Sequence, residues 1–305
     1  MTTAPTATAA TFESRFAIDV REPFAWEHSL RFICGFPATR DEQAVEGSVL
    51  VKAWRLPTQT VVARIRPAPD DRPALEVELA SPREVTDEVR AVAADRIGFY
   101  LSVDDDLADF HRAARADRAF APIAAKAFGY HQVKFGSPVE NLVWAILAQR
   151  NPMPVAREVK SRLMTRLNDP VRAFGSTYLP FPSLEQLATL SRAELTELTR
   201  NERKAGYLHG TVQRLTEIDE DTLRHGDVDE VQQLLLSLPG IGPWSATFVM
   251  IRGLGRMELL PADGEITKAA ERVYGPGVTP QRLAELAAPY APVPGYWAHY
   301  LRAVA

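Results

Sequence analysis

An α+β fold is predicted: an antiparallel β-sheet with accompanying helices over residues 1–115, then an essentially all-helical region over 116–305, whose two lobes flank a cleft. Three observations predict it. Short β-branched apolar runs come before about residue 80, apolar residues recur every three or four positions afterwards, and glycine- and proline-containing breaks cut the second region into helix-sized segments. Hydrophobic residues make up 46% of the chain and charged residues 24%, which excludes a disordered or low-complexity chain.

From Phe12 to about Leu79, runs such as Val49–Val51 and Thr60–Ile65 are broken by Pro57 and by the turn region Pro67–Pro73, and they read as antiparallel strands. Residues 83–97 suit a helix. Ser137-Pro138 opens the second region, where Val139, Leu142, Val143, Ile146 and Leu147 share one helical face that needs burial. Helical patterning continues over 155–168. Ser183, with Gln186 three residues on, forms a capping box ahead of a Leu-rich helix, and further helices are expected near 191–200, 202–216 and 228–237.

The single cysteine, Cys34, forms no internal disulfide, and the six histidines show no metal-ligand spacing; both fit a reduced interior and a cytoplasmic protein. No secretory signal or membrane-spanning run is expected from the opening residues MTTAPTATAA or from any later stretch. The formal charge of −4 gives no global attraction to nucleic acid. Acidic side chains outnumber basic ones over 1–120 and the two balance over 121–305, so any nucleic-acid surface is local.

The most informative stretch is Leu238-Pro239-Gly240-Ile241-Gly242-Pro243-Trp244. A helix ending near Ser237 meets a glycine-containing turn, and a new helix starts near Pro243 with its first amides unsatisfied. Such a turn approaches a phosphate closely and presents N–H groups to it; taken alone, it is equally an ordinary helix-to-helix connection. Beyond Leu260-Pro261-Ala262, Asp263 stands at the start of another helix, where an acid is commonly only a cap.

Two stretches together, LPGIGPWSATFVMIRGLG at 238–255 and LLPADGEITKAAERVYG at 259–275, resemble the helix-hairpin-helix DNA glycosylase superfamily, most closely its 3-methyladenine DNA glycosylase II branch. Supporting likeness lies in SPVENLVWAILAQR (137–150), FPSLEQLATL (181–190) and RKAGYLHGTVQRL (203–215). The resemblance implies a monomeric enzyme of base excision repair that works on damaged double-stranded DNA and is associated with the nucleoid when bound. It implies no cofactor for chemistry, with backbone contacts to DNA from Leu238, Gly240, Ile241 and Gly242. It also implies a monovalent cation held by hairpin carbonyls at Leu238 and Ile241.

The family acid maps to Asp263 rather than Glu265. Where bifunctional members place a nucleophilic lysine this chain has Trp244, which implies a monofunctional hydrolase that leaves an abasic site. Trp244 and Phe248, one helical turn apart, are expected to stack on an everted alkylated purine. Arg150 falls where a relative inserts an apolar wedge. Val293 replaces a pocket tryptophan, with Tyr296 or Trp297 as compensating pocket residues or simply helix packing. Arg200, Arg203 and Lys204 are candidate phosphate contacts. The alternatives are excision of another damaged base, such as an oxidised purine, and noncatalytic binding of distorted DNA.

Overall fold

The computed structural model describes residues 7–39, 42–69, 72–261 and 263–304. A short strand β1 (Thr8–Ala9) and β2 (Phe12–Asp19) lead to helix α1 (Trp26–Gly35). Strands β3 (Gln43–Glu46), β4 (Val49–Arg55), β5 (Thr60–Pro67) and β6 (Ala74–Ser81) follow. They form an antiparallel sheet in the order β2-β6-β5-β4-β3, with Phe16 opposite Val77 and Val62 opposite Ala80. Helix α2 (Asp87–Leu101) covers one face, its Val89, Ala93 and Ile97 sharing a core with Ile65, Val77 and Leu79. It starts later than the expected 83–97 because the Thr86 side chain accepts the Val89 amide, and it stops where Ser102 adopts left-handed backbone.

The helices that follow are α3 (Ala108–Ala116), α4 (Ala121–Lys126), α5 (Pro138–Ala148) and α6 (Met153–Leu167). A short hairpin, β7 (Val171–Ala173) and β8 (Ser176–Tyr178), interrupts the helices of this predominantly helical region. Its two turn residues, Phe174 and Gly175, have φ of 49° and 80°, as a two-residue hairpin with the native twist requires. β1 adds to this hairpin in parallel, in the order β1-β7-β8. Val171, Ala173 and Tyr178 cover the second face of the large sheet at Val51, Ala53, Val62 and Ala80. The sheet is therefore covered on both faces, which explains continuous apolar runs such as Val61-Val62-Ala63.

Beyond the hairpin come α7 (Leu184–Ala188), α8 (Arg192–Thr199), α9 (Glu202–Leu215), α10 (Glu220–His225), α11 (Val228–Ser237) and α12 (Pro243–Arg252). The chain closes with α13 (Gly264–Tyr274), α14 (Pro280–Ala287) and α15 (Pro294–Val304). The expected Ser183–Gln186 capping box is present at α7, and a second, Ser191–Glu194, starts α8. One helical core joins α5 and α6 to α7–α12. A second gathers residues 107–130 with the C-terminal helices, so the sequence-based division at 115/116 falls inside α3.

Four buried charges tie the sheet to the helices. Lys52 on β4 donates to Glu42, which also pairs with Lys160 on α6, and Lys160 donates at 2.7 Å to Glu140 on α5. Burial alone would raise Glu140, but the Lys160 and Lys52 ammoniums hold it below the usual carboxylate range. Among the described residues, no helix is long and apolar enough to cross a membrane.

Candidate nucleic-acid interface and active site

The turn between α11 and α12 is anchored by its apolar side chains and open through its glycines. Leu238 and Ile241 are buried, and the Ile241 amide donates to the Leu238 carbonyl at 3.1 Å. Gly240 has φ +80°, and a Cβ there would meet the Tyr207 ring at 2.6 Å, so only glycine fits. A Cβ on Gly242 would meet nothing within 4 Å. Gly242 caps α12 without a side chain and Pro243 has no N–H, so the next first-turn amides lack intrahelical partners. Gln149 Nε2 donates to the Gly240 carbonyl at 2.6 Å and Thr211 Oγ1 to the Pro239 carbonyl at 2.9 Å. The Leu238 carbonyl keeps one lone pair beyond its turn bond. That is compatible with a cation, although among the described residues no His, Cys, Asp and Glu cluster could hold a metal ion.

A groove of about 730 Å³ runs beside this turn, lined by Gln149, Arg150, Arg203, Tyr207, Gly242 and Trp244 among others. Arg150 is exposed at the end of α5 with φ +52°. Arg203, also exposed, donates to the Tyr207 hydroxyl at 2.7 Å and lies over its ring. Lys204 corrects the expectation of a phosphate contact. It is buried, and Nζ donates to the Leu147 and Gln149 carbonyls at 2.7 and 2.8 Å, capping the C-terminus of α5. Arg200, the C-cap of α8, is exposed away from these contacts and lines a separate groove with Arg162 and Arg166.

Trp244 is 61% exposed, and its ring stacks on Phe248 at 5.4 Å with planes 5° apart. The row continues edge-on to Phe135 at 6.1 Å, from there to Phe36 at 5.3 Å, and on to Phe32, stacked on Phe36 at 5.0 Å. The Arg252 guanidinium closes it, 4.3 Å from the Phe32 ring and 5.1 Å from Phe36. Sequence reasoning missed Phe32, Phe36, Phe135 and Arg252; the available signal was the four-residue spacing of Phe32 on α1 and Phe36, its C-cap.

Asp263 uses its two oxygens separately. Oδ1 accepts the Glu265 and Ile266 amides at 3.0 and 2.9 Å as the N-cap of α13, and Oδ2 accepts Arg302 Nη2 at 2.7 Å. Glu265 is exposed in the first turn behind this cap. Burial lowers Arg252 to about 10, and Arg302 adds to the shift. Burial and then the charges of Arg252 and Arg302 push His299 well below its usual range. Through Arg302, the acid therefore belongs to the same electrostatic neighbourhood as the far end of the aromatic row.

Tyr296 and Trp297 correct another expectation: they are core residues, 1% and 0% exposed. The Tyr296 hydroxyl bonds to Asp105 and accepts the Gln132 amide, and Trp297 Nε1 donates to the Tyr274 hydroxyl. Val293, partly buried, packs on the same core.

A glycine hairpin set between two helices is a helix-hairpin-helix arrangement, and an outward aromatic pair stands on its second helix. Residues 143–289 match the family model of the HhH-GPD superfamily of base excision DNA repair proteins. The chain is 26% identical over 166 residues to a DNA-3-methyladenine glycosylase of Bacillus subtilis, covering 54% of this chain and 55% of that one. It is 28% identical over 285 residues to a probable bifunctional transcriptional activator/DNA repair enzyme AlkA of Mycobacterium tuberculosis, covering 92% of this chain and 54% of that one. It thus spans about half the length of these curated relatives. The solved 3-methyladenine DNA-glycosylase from Archaeoglobus fulgidus shares the fold, with a TM-score of 0.77 at 21% identity over 94% of this chain and 97% of that one.

Proposed function

We propose that the protein is a monofunctional DNA glycosylase that hydrolyses the N-glycosidic bond of damaged, chiefly alkylated, purines in duplex DNA and leaves an abasic site. The observation that carries this reading is the exposed Trp244–Phe248 stack on the helix leaving the hairpin. A flat apolar face beside a phosphate-docking turn suits a base swung out of the duplex. Relatives named as 3-methyladenine glycosylases support the choice of an alkylated purine.

In this reading the hairpin amides at Gly240 and Gly242, together with Arg203, hold backbone phosphates, while the Ile241 amide closes the turn; Arg150 fills the gap left by the everted nucleotide. Carbonyls of Leu238 and Ile241 would hold a monovalent cation that adds positive charge at the phosphate. The Asp263 carboxylate faces the sugar and stabilises the positive charge that grows at C1′ as the C1′–N bond breaks, while water supplies the hydroxyl. An N3- or N7-alkylated purine leaves as a neutral base, so no strong general acid is required. Trp244 offers no amine for a Schiff base.

The test is incubation with duplexes carrying 3-methyladenine or 7-methylguanine, followed by separate assays for free base and strand cleavage. Free base with an intact, alkali-labile strand is expected. A borohydride-trapped adduct with strand scission would exclude the monofunctional mechanism. Tight binding without base release would instead make the protein a reader of distorted DNA.

A further inference from the structure

Arg150 stands in backbone that a residue with a Cβ rarely adopts, and its neighbours hold it there. Its φ of +52° lies in the left-handed region, which costs free energy and persists where the surroundings fix it. On one side Gln149 is tied twice: its carbonyl accepts Lys204 Nζ at 2.8 Å, and its Nε2 donates to the Gly240 carbonyl at 2.6 Å. On the other side the Asn151 amide donates to the Ala148 carbonyl at 3.2 Å, and Asn151 Nδ2 donates to the Leu147 carbonyl at 3.0 Å. Of these four ties, the one made by the Gln149 side chain crosses to the hairpin. Helix α9 braces both ends of that crossing. Lys204 holds the end of α5, the Tyr207 ring lies against Gly240, and Thr211 Oγ1 donates to the Pro239 carbonyl at 2.9 Å. Gln149, Arg150, Gly240 and Gly242 all line the one groove beside the turn.

We infer that Gln149 is a positioning residue: by bonding the Gly240 carbonyl, it delivers Arg150 into the duplex at a fixed offset from the phosphates docked on the hairpin. This rests on the glycosylase reading above. A side chain that fills the gap left by an everted nucleotide must arrive at a set distance from the phosphates the protein grips, and a misplacement of about 1 Å can cost about 100-fold in rate. Gln149 itself touches no reacting atom. Its N–H is spent on the hairpin, so phosphate docking and gap filling proceed as one movement. Without that bond Arg150 keeps its charge, but the turn carrying it is free to relax out of left-handed backbone and draw the guanidinium away from the gap. The penalty falls on opening the duplex. A correctly paired base is lifted against its full pairing and stacking, whereas a mismatched one is already loose.

The test is a double-mutant cycle of Gln149→Met and Arg150→Ala, read as single-turnover release of 7-methylguanine placed opposite cytosine or opposite adenine. Methionine keeps the length of the side chain and removes the donor. It is expected to slow release from the paired duplex about tenfold and from the mismatched duplex about threefold. The slope of log affinity against log salt is expected to stay as in wild type, since no phosphate contact is lost. With Arg150→Ala already in place, Gln149→Met is expected to change the rate by less than about twofold, because nothing remains to be positioned. Equal slowing in both backgrounds, or undiminished release by Gln149→Met, would overturn the inference. Should Gln149→Met fail to fold, Gln149→Glu enters the same cycle under the same criteria; it keeps the shape but turns an oxygen towards the Gly240 carbonyl. An Arg150→Ala variant as fast as wild type on the paired duplex defeats this inference and leaves the glycosylase reading standing. No release by wild type from either duplex defeats the glycosylase reading itself.

Discussion

Arg302 Nη2 donates to Asp263 Oδ2 at 2.7 Å, while Oδ1 of the same carboxylate is committed to two amides of the α13 cap. The acid is thereby fixed from both sides. Asparagine at 263 keeps an oxygen for the cap but loses the charge, so Asp263→Asn separates chemistry from folding. Single-turnover base release is expected to fall by about 100-fold or more, with damaged-DNA affinity and thermal midpoint nearly unchanged. Arg302→Met frees only one oxygen and is expected to cost about tenfold. Unimpaired release by Asp263→Asn would remove the carboxylate from its proposed role.

Trp244 projects from the surface and packs on a single aromatic neighbour, Phe248. Trp244→Ala is therefore expected to leave the melting temperature intact. If the indole holds the everted base, the same variant weakens single-turnover capture of an alkylated purine by roughly 1–3 kcal/mol. Measuring both quantities on one preparation separates the stacking role from packing.

Arg203 and Lys204 are adjacent in sequence and opposite in role. Arg203→Ala is expected to reduce the slope of log affinity against log salt by about 0.9, the release of one counterion. Lys204→Met leaves two carbonyls at the end of α5 without their donor and is expected to destabilise the fold by about 1–3 kcal/mol with no change in salt slope. A salt titration paired with denaturant unfolding checks both expectations.

His111 is held neutral by burial, with Arg115 and His131 adding to the effect, and its pKa drops from the usual 6.5 to about 4. Between those values the unfolded chain binds the proton that the folded protein refuses, so stability rises with pH across the window. The contribution is fully present above 6.5 and is lost as pH falls towards 4. His299, also depressed, acts in the same direction. Denaturant midpoints are expected to fall steadily as pH is lowered from 6.5 to 4, and His111→Phe should flatten that dependence.

What was legible in the sequence was local. The opening of the second region at Ser137-Pro138, the Ser183–Gln186 box, the hairpin between Ser237 and Pro243 and the Asp263 cap each depend on residues within a few positions of one another. What was not legible depends on remote partners. Phe32, Phe36 and Arg252 meet across more than 200 positions, and no local pattern announces that. Tyr296 and Trp297 were offered as pocket residues through the resemblance at Val293, and sequence likeness does not tell which side of a helix meets the core. Lys204 looked like a phosphate contact because a charge does not reveal that two carbonyls have claimed it. The β7–β8 hairpin escaped because its turn is Phe-Gly rather than the usual Asn-Gly or Asp-Gly.

The quartet of Lys52, Glu42, Lys160 and Glu140 also bears on how the molecule can be dissected. Half of its charge balance comes from the first 52 residues and half from helices of the second region. A truncated chain that starts after the sheet would keep Glu140 and Lys160 but lose their neighbours, opening a water-seeking ion pair to whatever replaces them. The amino-terminal layer is thus no detachable accessory: Lys52 and Glu42 complete the buried surroundings of the Lys160–Glu140 pair.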